Sequence, residues 1–216
     1  MYTFLVFVHV LALVYWLGGD LGTYLSSRYA LREDLSVDAR QTAFNILLAC
    51  DMGPKLAMPV IVGAGMHLST LLWSTQIPVW MPFISWTVVG VWLILIFAQH
   101  SALNAKLPML SQFDLVLRLS VVTALIGFTL WASSNDLPVW LLAKILVFVV
   151  LVLCGIAVRF ALKPFAKAWV KLVTEGASHE VNQALNTHMA VCRRYVWIIW
   201  FGLFLNAALG VRLIAI

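Results

Sequence analysis

Long runs with almost no charge dominate this chain and constrain its fold more than any other feature. A helix needs about 20 mostly apolar residues to cross roughly 30 Å of hydrocarbon. Six segments meet that length: residues 2–25, 54–73, 82–104, 114–133, 138–162 and 195–213. In lipid only helices and closed barrels satisfy every backbone donor and acceptor, and runs this long fit helices. The expected fold class is therefore all-α: a polytopic integral membrane six-helix bundle, with residues 1–216 as one transmembrane domain. Of the 216 residues, 63% are apolar and 11% charged, and the mean hydropathy is +0.97. A soluble domain carries about a quarter charged residues. Composition thus excludes a soluble enzyme, a disordered chain and a nucleic-acid-binding domain, and leaves the lipid bilayer as the first partner. Cys50, Cys154 and Cys192 form neither a CxxC pair nor a disulfide framework.

Proline and basic residues set boundaries and orientation. Pro54, Pro82 and Pro138 suit a first helical turn, Pro108 and Pro164 are expected to follow helix ends, and Pro59 should kink the second span. All basic residues except Lys144 and Arg212 fall in alternate connections, over 26–55, 103–118 and 159–194. The positive-inside rule places those connections in the cytoplasm and both termini outside, in a bacterial-type inner membrane. Trp73, Trp80, Trp86, Trp131 and Trp140 gather at the opposite face, as an interfacial aromatic belt. The stretch from Phe165 to Thr187 reads as an amphipathic helix on the inner surface, or as extensions of spans five and six.

Ionisable residues inside lipid are costly, so each is a functional candidate. His9 and His67 each lie about seven residues, or about 10 Å, below the outer surface on adjacent antiparallel spans. Two imidazoles at one depth suit axial ligation of a b-type haem, and Gly63, one turn before His67, leaves room for a flat macrocycle. Hydrogen bonding between helices is the plainer reading of each histidine. Copper is the alternative occupant, because Met58 and Met66 share the second span. Lys144, at the same depth, is expected to contact a propionate, a substrate carboxylate or a quinone oxygen, or to snorkel outward. Asp20 shares a face of the first span with His9 and Trp16. Its partner is sought in Lys55, Arg159 or His100, and it serves a proton relay or an ion pair. His100 and His188 are second-site candidates for another haem. Asp114 and Arg118 read as an interfacial i, i+4 pair, and Gly18 and Gly22 as a small-xxx-small contact.

The run His9-Val10-Leu11-Ala12-Leu13-Val14-Tyr15-Trp16-Leu17-Gly18-Gly19 resembles the opening helix of the CopD and HemJ superfamily of small membrane proteins, with its H-x6-W-x-G-G-like pattern. Asp51-Met52-Gly53-Pro54-Lys55-Leu56, followed by Pro59, is similar to the start of that family's next helix, with Lys55 where an arginine is usual. The likeness covers about residues 1–75 and implies haem or metal binding at His9. Asp20 and His67 are departures from the family pattern.

The expectation from sequence is a membrane b-type haem protein, with His9 and His67 as metal ligands and Gly63 and Trp16 lining the cofactor. Asp20 and Lys144 would be its catalytic groups. Its work would be electron transfer or redox chemistry with quinone or a periplasmic partner. The alternatives are a copper or small-solute transporter whose polar residues line a path, and a membrane anchor subunit of a redox complex.

Overall fold

The computed structural model describes residues 1–101, 107 and 109–214, and among them it is all-helical. Helix α1 (Tyr2–Ala30) leads to α2 (Val37–Cys50), α3 (Met52–Leu72), α4 (Met81–Gln99), α5 (Leu110–Ser133), α6 (Val139–Glu175) and α7 (His179–Gly210). Five stretches are long and apolar enough to cross a membrane: α1, the α2–α3 run over Val37–Leu72, α4, α5 and α6. The sixth expected span lies in α7, which is not among these five. Its apolar part begins only after Arg193 and Arg194 and carries Asn206, leaving about 24 Å of helix from Tyr195 to Gly210.

Proline sets the helix starts as expected. Pro54 sits in the first turn of α3, Pro82 in that of α4, and Pro138 at the N-cap of α6. Pro164 departs from expectation: it lies inside α6, which runs on to Glu175. A proline inside a helix costs about 3 kcal/mol. Phe165, Trp169 and Leu172, all buried, offset that cost, since burying each is worth about 1.5–3 kcal/mol. The stretch from Phe165 to Thr187 therefore forms the extensions of α6 and α7, joined by a turn at Gly176 (φ +89°). Pro108 and the end of the 82–104 span fall outside the described residues or beyond α4, whose last helical residue is Gln99.

Helix α2 is a finding that charge counting hid, because 26–55 read as a basic connection. Ser36 caps it by accepting from the Ala39 N–H (3.3 Å), and Asp38 in the first turn favours the helix dipole. Arg40 fastens it. Only 1% exposed, Arg40 donates from Nε to the Ala30 carbonyl (2.9 Å) and from Nη1 to Asn182 Oδ1 (3.0 Å). One guanidinium thus ties α2 to the end of α1 and the start of α7.

The long helices close into a ring: α1 lies against α3, α3 against α4, α4 against α5, α5 against α6, α6 against α7, and α7 against α1. Three apolar clusters stack along its axis. A central one holds Trp16, Met58, Trp92, Phe148 and Leu151. One at the basic end holds Ala30, Leu47, Phe165 and Leu185. The third, at the tryptophan-rich end, holds Ile77, Ala132 and Leu137, with Trp73 against Trp140 (5.7 Å). Outside the ring Phe4, Phe7, Phe83, Phe201 and Phe204 stand exposed, as a lipid-facing surface requires.

Glycine sets the closest approach, at Gly22 of the expected pair but not at Gly18. Gly18 has open space around it. Gly19 meets α3 instead, where a Cβ would lie 2.8 Å from the Cys50 carbonyl oxygen. Gly22 backs onto the Cys50 thiol.

Candidate functional site

Helix α1 carries His9, Trp16, Asp20, Thr23 and Ser27 at spacings of three, four and seven, so they form one stripe. The stripe faces the inside of the ring, a seam bounded by α3, α6 and α7, with His9 against Gly65 of α3 and Trp16 edge-on to Phe148 of α6. Several polar atoms there are buried without a hydrogen-bond partner among the described residues. They are His9 Nδ1, Asp20 Oδ2 and Thr23 Oγ1 on α1, Trp200 Nε1 and Asn206 Oδ1 on α7, and Trp140 Nε1 on α6. Unmet buried polar atoms are rare because each costs about 1–3 kcal/mol. Nine such atoms occur among the described residues, and six of them lie along this seam.

The half of the seam toward the tryptophan-rich end is cationic. His9 packs its Cε1 where a Cβ on Gly65 of α3 would lie 3.3 Å away, and Lys144 is its charged neighbour. Gly210 of α7 makes room for Lys144, since a Cβ there would sit 2.9 Å from Nζ. The Lys144 ammonium is 5.9 Å from the Trp140 ring centre, and Arg212 covers that ring at 4.5 Å. Asn206 lies one turn below Gly210 on the same face of α7.

The half toward the basic end is anionic and aromatic. Asp20 is 8% exposed and is faced by the indoles of Trp16 and Trp200 and by the Asp51 carboxylate. None of the three cations offered to it by sequence takes its carboxylate. Lys55 pairs with Asp51 (2.6 Å) and donates to His100 Nε2 (3.3 Å). Arg159 binds Asp114 (2.8 Å) and the Ser111 carbonyl. Below Asp20 the seam ends at Arg193, whose Nε and Nη2 reach Ser27 Oγ at 3.1 and 2.9 Å. Between the halves stands Trp16, 1% exposed and edge-on to Phe148 of α6 (6.1 Å).

His67 and Gly63 belong to another seam. Gly63 would press a Cβ against Val89 and Trp86 of α4, and Trp86 Nε1 donates to His67 Nδ1 (3.3 Å). Trp86 is therefore a hydrogen-bond donor to His67 more than a member of the aromatic belt. Positions 65 and 67 are about 200° apart around a helix. His9, against Gly65, and His67, against α4, thus share a depth but lie on opposite faces of α3. The two rings do not frame one iron, and a bis-histidine haem b does not fit this pair.

The second-site candidates also part. His100 caps α4, its Nδ1–H donating to the Ile96 carbonyl (2.7 Å), which leaves Nε2 as the acceptor for Lys55. His188 lies on α7, which does not neighbour α4 in the ring. Among the described residues no group of three or more His, Cys, Asp or Glu side chains converges as a metal site. An apolar cleft of about 580 Å³ lies between α3, α4 and α5 toward the tryptophan-rich end. Its one hydroxyl, Ser85, already donates to the Pro82 carbonyl (2.9 Å), and the indoles of Trp80 and Trp131 also line it.

Asp114 corrects its reading as an interfacial group. It is 3% exposed and takes both Arg118 Nε (2.9 Å) and Arg159 Nη1 (2.8 Å) on Oδ2. Arg118 also reaches Met58 Sδ (3.5 Å) and covers Trp92 (5.2 Å). The i, i+4 spacing showed one arm of this cluster. The other arm joins residues 45 apart and left no local signal. Asp51 is a site residue that sequence reasoning missed, although its i, i+4 spacing to Lys55 offered the same local signal.

No family model, curated protein or solved structure matches this chain.

Proposed function

We propose that this chain is a six-span membrane transporter with both termini outside, in which the α1–α6–α7 seam carries protons together with a small polar solute. One observation supports the reading above all: six buried polar atoms without partners line the same seam that holds Asp20, His9 and Lys144. Chains of aspartate and histidine inside a bundle are the usual means of moving protons through lipid. Trp16 against Phe148 separates the seam into a cationic outer half and an anionic inner half, as a two-sided path requires. Lys144 and His9 would receive an anionic or hydrogen-bonding solute, and Asp20 would carry the proton.

The test is flux in proteoliposomes containing the purified full chain, read with a trapped pH dye under an imposed gradient. Asp20→Asn and Lys144→Ala are each expected to slow proton entry at least about tenfold, about 1.4 kcal/mol of barrier. Wild-type liposomes no more permeable than empty ones would overturn the proposal.

The redox reading rests on His9 alone, whose Nδ1 has no partner and whose neighbour Lys144 could meet a propionate. The separation of His9 from His67 predicts that the reduced protein lacks the split alpha bands of bis-histidine haem b. An absorption spectrum checks this.

A further inference from the structure

We infer that the inner half of the seam is a binding site for one monovalent cation, held between Asp20 and the junction of α2 with α3. The inference deepens the transport reading by naming the coupling ion's site.

The junction is built to offer oxygen. Pro54 has no N–H, so the Cys50 carbonyl four residues earlier loses its helical donor. That oxygen faces α1, because a Cβ on Gly19 would lie 2.8 Å from it, and Asp20 is the next residue. Thr23 Oγ1, one turn along α1, is buried and unpartnered, as is Asp20 Oδ2. Carbonyls freed at helix interruptions, beside a buried carboxylate, are how membrane transporters coordinate sodium or protons.

The pairing of the nearby charges gives the valence. Asp20 and Asp51 bring two negative charges and Lys55, 2.6 Å from Asp51, brings one positive charge. His100 is engaged on both ring nitrogens, Nδ1 with the Ile96 carbonyl (2.7 Å) and Nε2 with Lys55 (3.3 Å). The nearby Arg118 and Arg159 share Asp114, and Arg193 is held by Ser27 Oγ, so none of these cations is bonded to Asp20. A buried carboxylate with no bonded cation is costly. A single bound proton or sodium ion neutralises it, and oxygen ligands suit either.

The test uses the full chain in detergent. Trp16 and Trp200 face Asp20, so intrinsic tryptophan fluorescence reports the site. Sodium chloride is titrated against choline chloride at fixed pH, and pH is titrated separately in choline chloride. A saturable response to sodium identifies sodium, and a response to pH alone identifies the proton. Asp20→Asn is expected to abolish the response. Asp51→Asn should weaken apparent sodium affinity about tenfold or move the pH midpoint by about one unit, equal in free energy. Gly18→Ala, in open space, should respond as wild type. A wild type silent to both titrations, or an Asp20→Asn protein that still responds fully, overturns the inference. If Asp20→Asn does not fold, Thr23→Val carries the test, and an unchanged response there overturns it equally. A cation response without flux would defeat only the transport reading. Flux without a response would defeat only this one.

Discussion

Two neighbouring glycines on α1 differ more in consequence than their chemistry suggests. A methyl added at Gly18 would find nothing within 4 Å, whereas at Gly19 it would meet the Cys50 carbonyl at 2.8 Å and the ring of Pro54. Gly18→Ala should therefore be neutral or stabilising by about 0.5–1 kcal/mol, from the lower entropy of the unfolded chain. Gly19→Ala should cost about 1–3 kcal/mol by overpacking against backbone. Thermal unfolding in one detergent checks the pair, and equal melting temperatures would contradict it. Asp114 supplies a second contrast. Its carboxylate holds two arginines, one of them 12% exposed along its side chain, in the interior of the bundle. Asp114→Asn leaves those cations without a charge partner, which should cost about 3–5 kcal/mol. The same melting assay reads it, and an unchanged melting temperature would show that water reaches both arginines.

Among the helices, α6 is the one whose packing overrides its own chain. Pro164 interrupts it, yet the helix continues because the second apolar cluster holds Phe165, Trp169 and Leu172 in place. Pro164→Ala restores a backbone donor for the Phe160 carbonyl and removes the ring clash, so it should stabilise the protein by about 1–3 kcal/mol. A lowered melting temperature would instead show that the bend at Pro164 is needed to seat the α6 extension. Helix α2 is the reverse case, a segment with good local signals whose neighbours sequence could not name. Its Ser36 cap was readable. Arg40 finds Asn182 142 residues away, and no periodicity announces that pairing.

For the whole bundle, the distribution of Lys and Arg predicts which ends face the cytoplasm. Cysteine placed at Asp34 or Ser178, at the basic end, should be labelled by an impermeant maleimide only in inside-out vesicles. Cysteine at Asn135, between α5 and α6, should be labelled only in right-side-out ones. Cys50 and the buried Cys154 and Cys192 would be replaced by serine or alanine first. Labelling of both ends from one side would overturn this arrangement of the five apolar stretches.

The amino-acid order alone settled what depends on distance along a helix. Apolar length gave the spans, proline gave three helix starts, and counting at 1.5 Å per residue placed His9 and His67 within about 3 Å of one depth, since His9 packs beside Gly65. Rotation about the helix axis was beyond it. Which seam a side chain enters depends on how neighbouring helices pack, and membrane interfaces are chosen by small-residue fit and hydrogen bonding that a uniformly apolar sequence does not encode. So His67 went to Trp86, Arg159 to Asp114 and Lys55 to Asp51 and His100. Asp20, deprived of every cation proposed for it, became the buried carboxylate that defines the site.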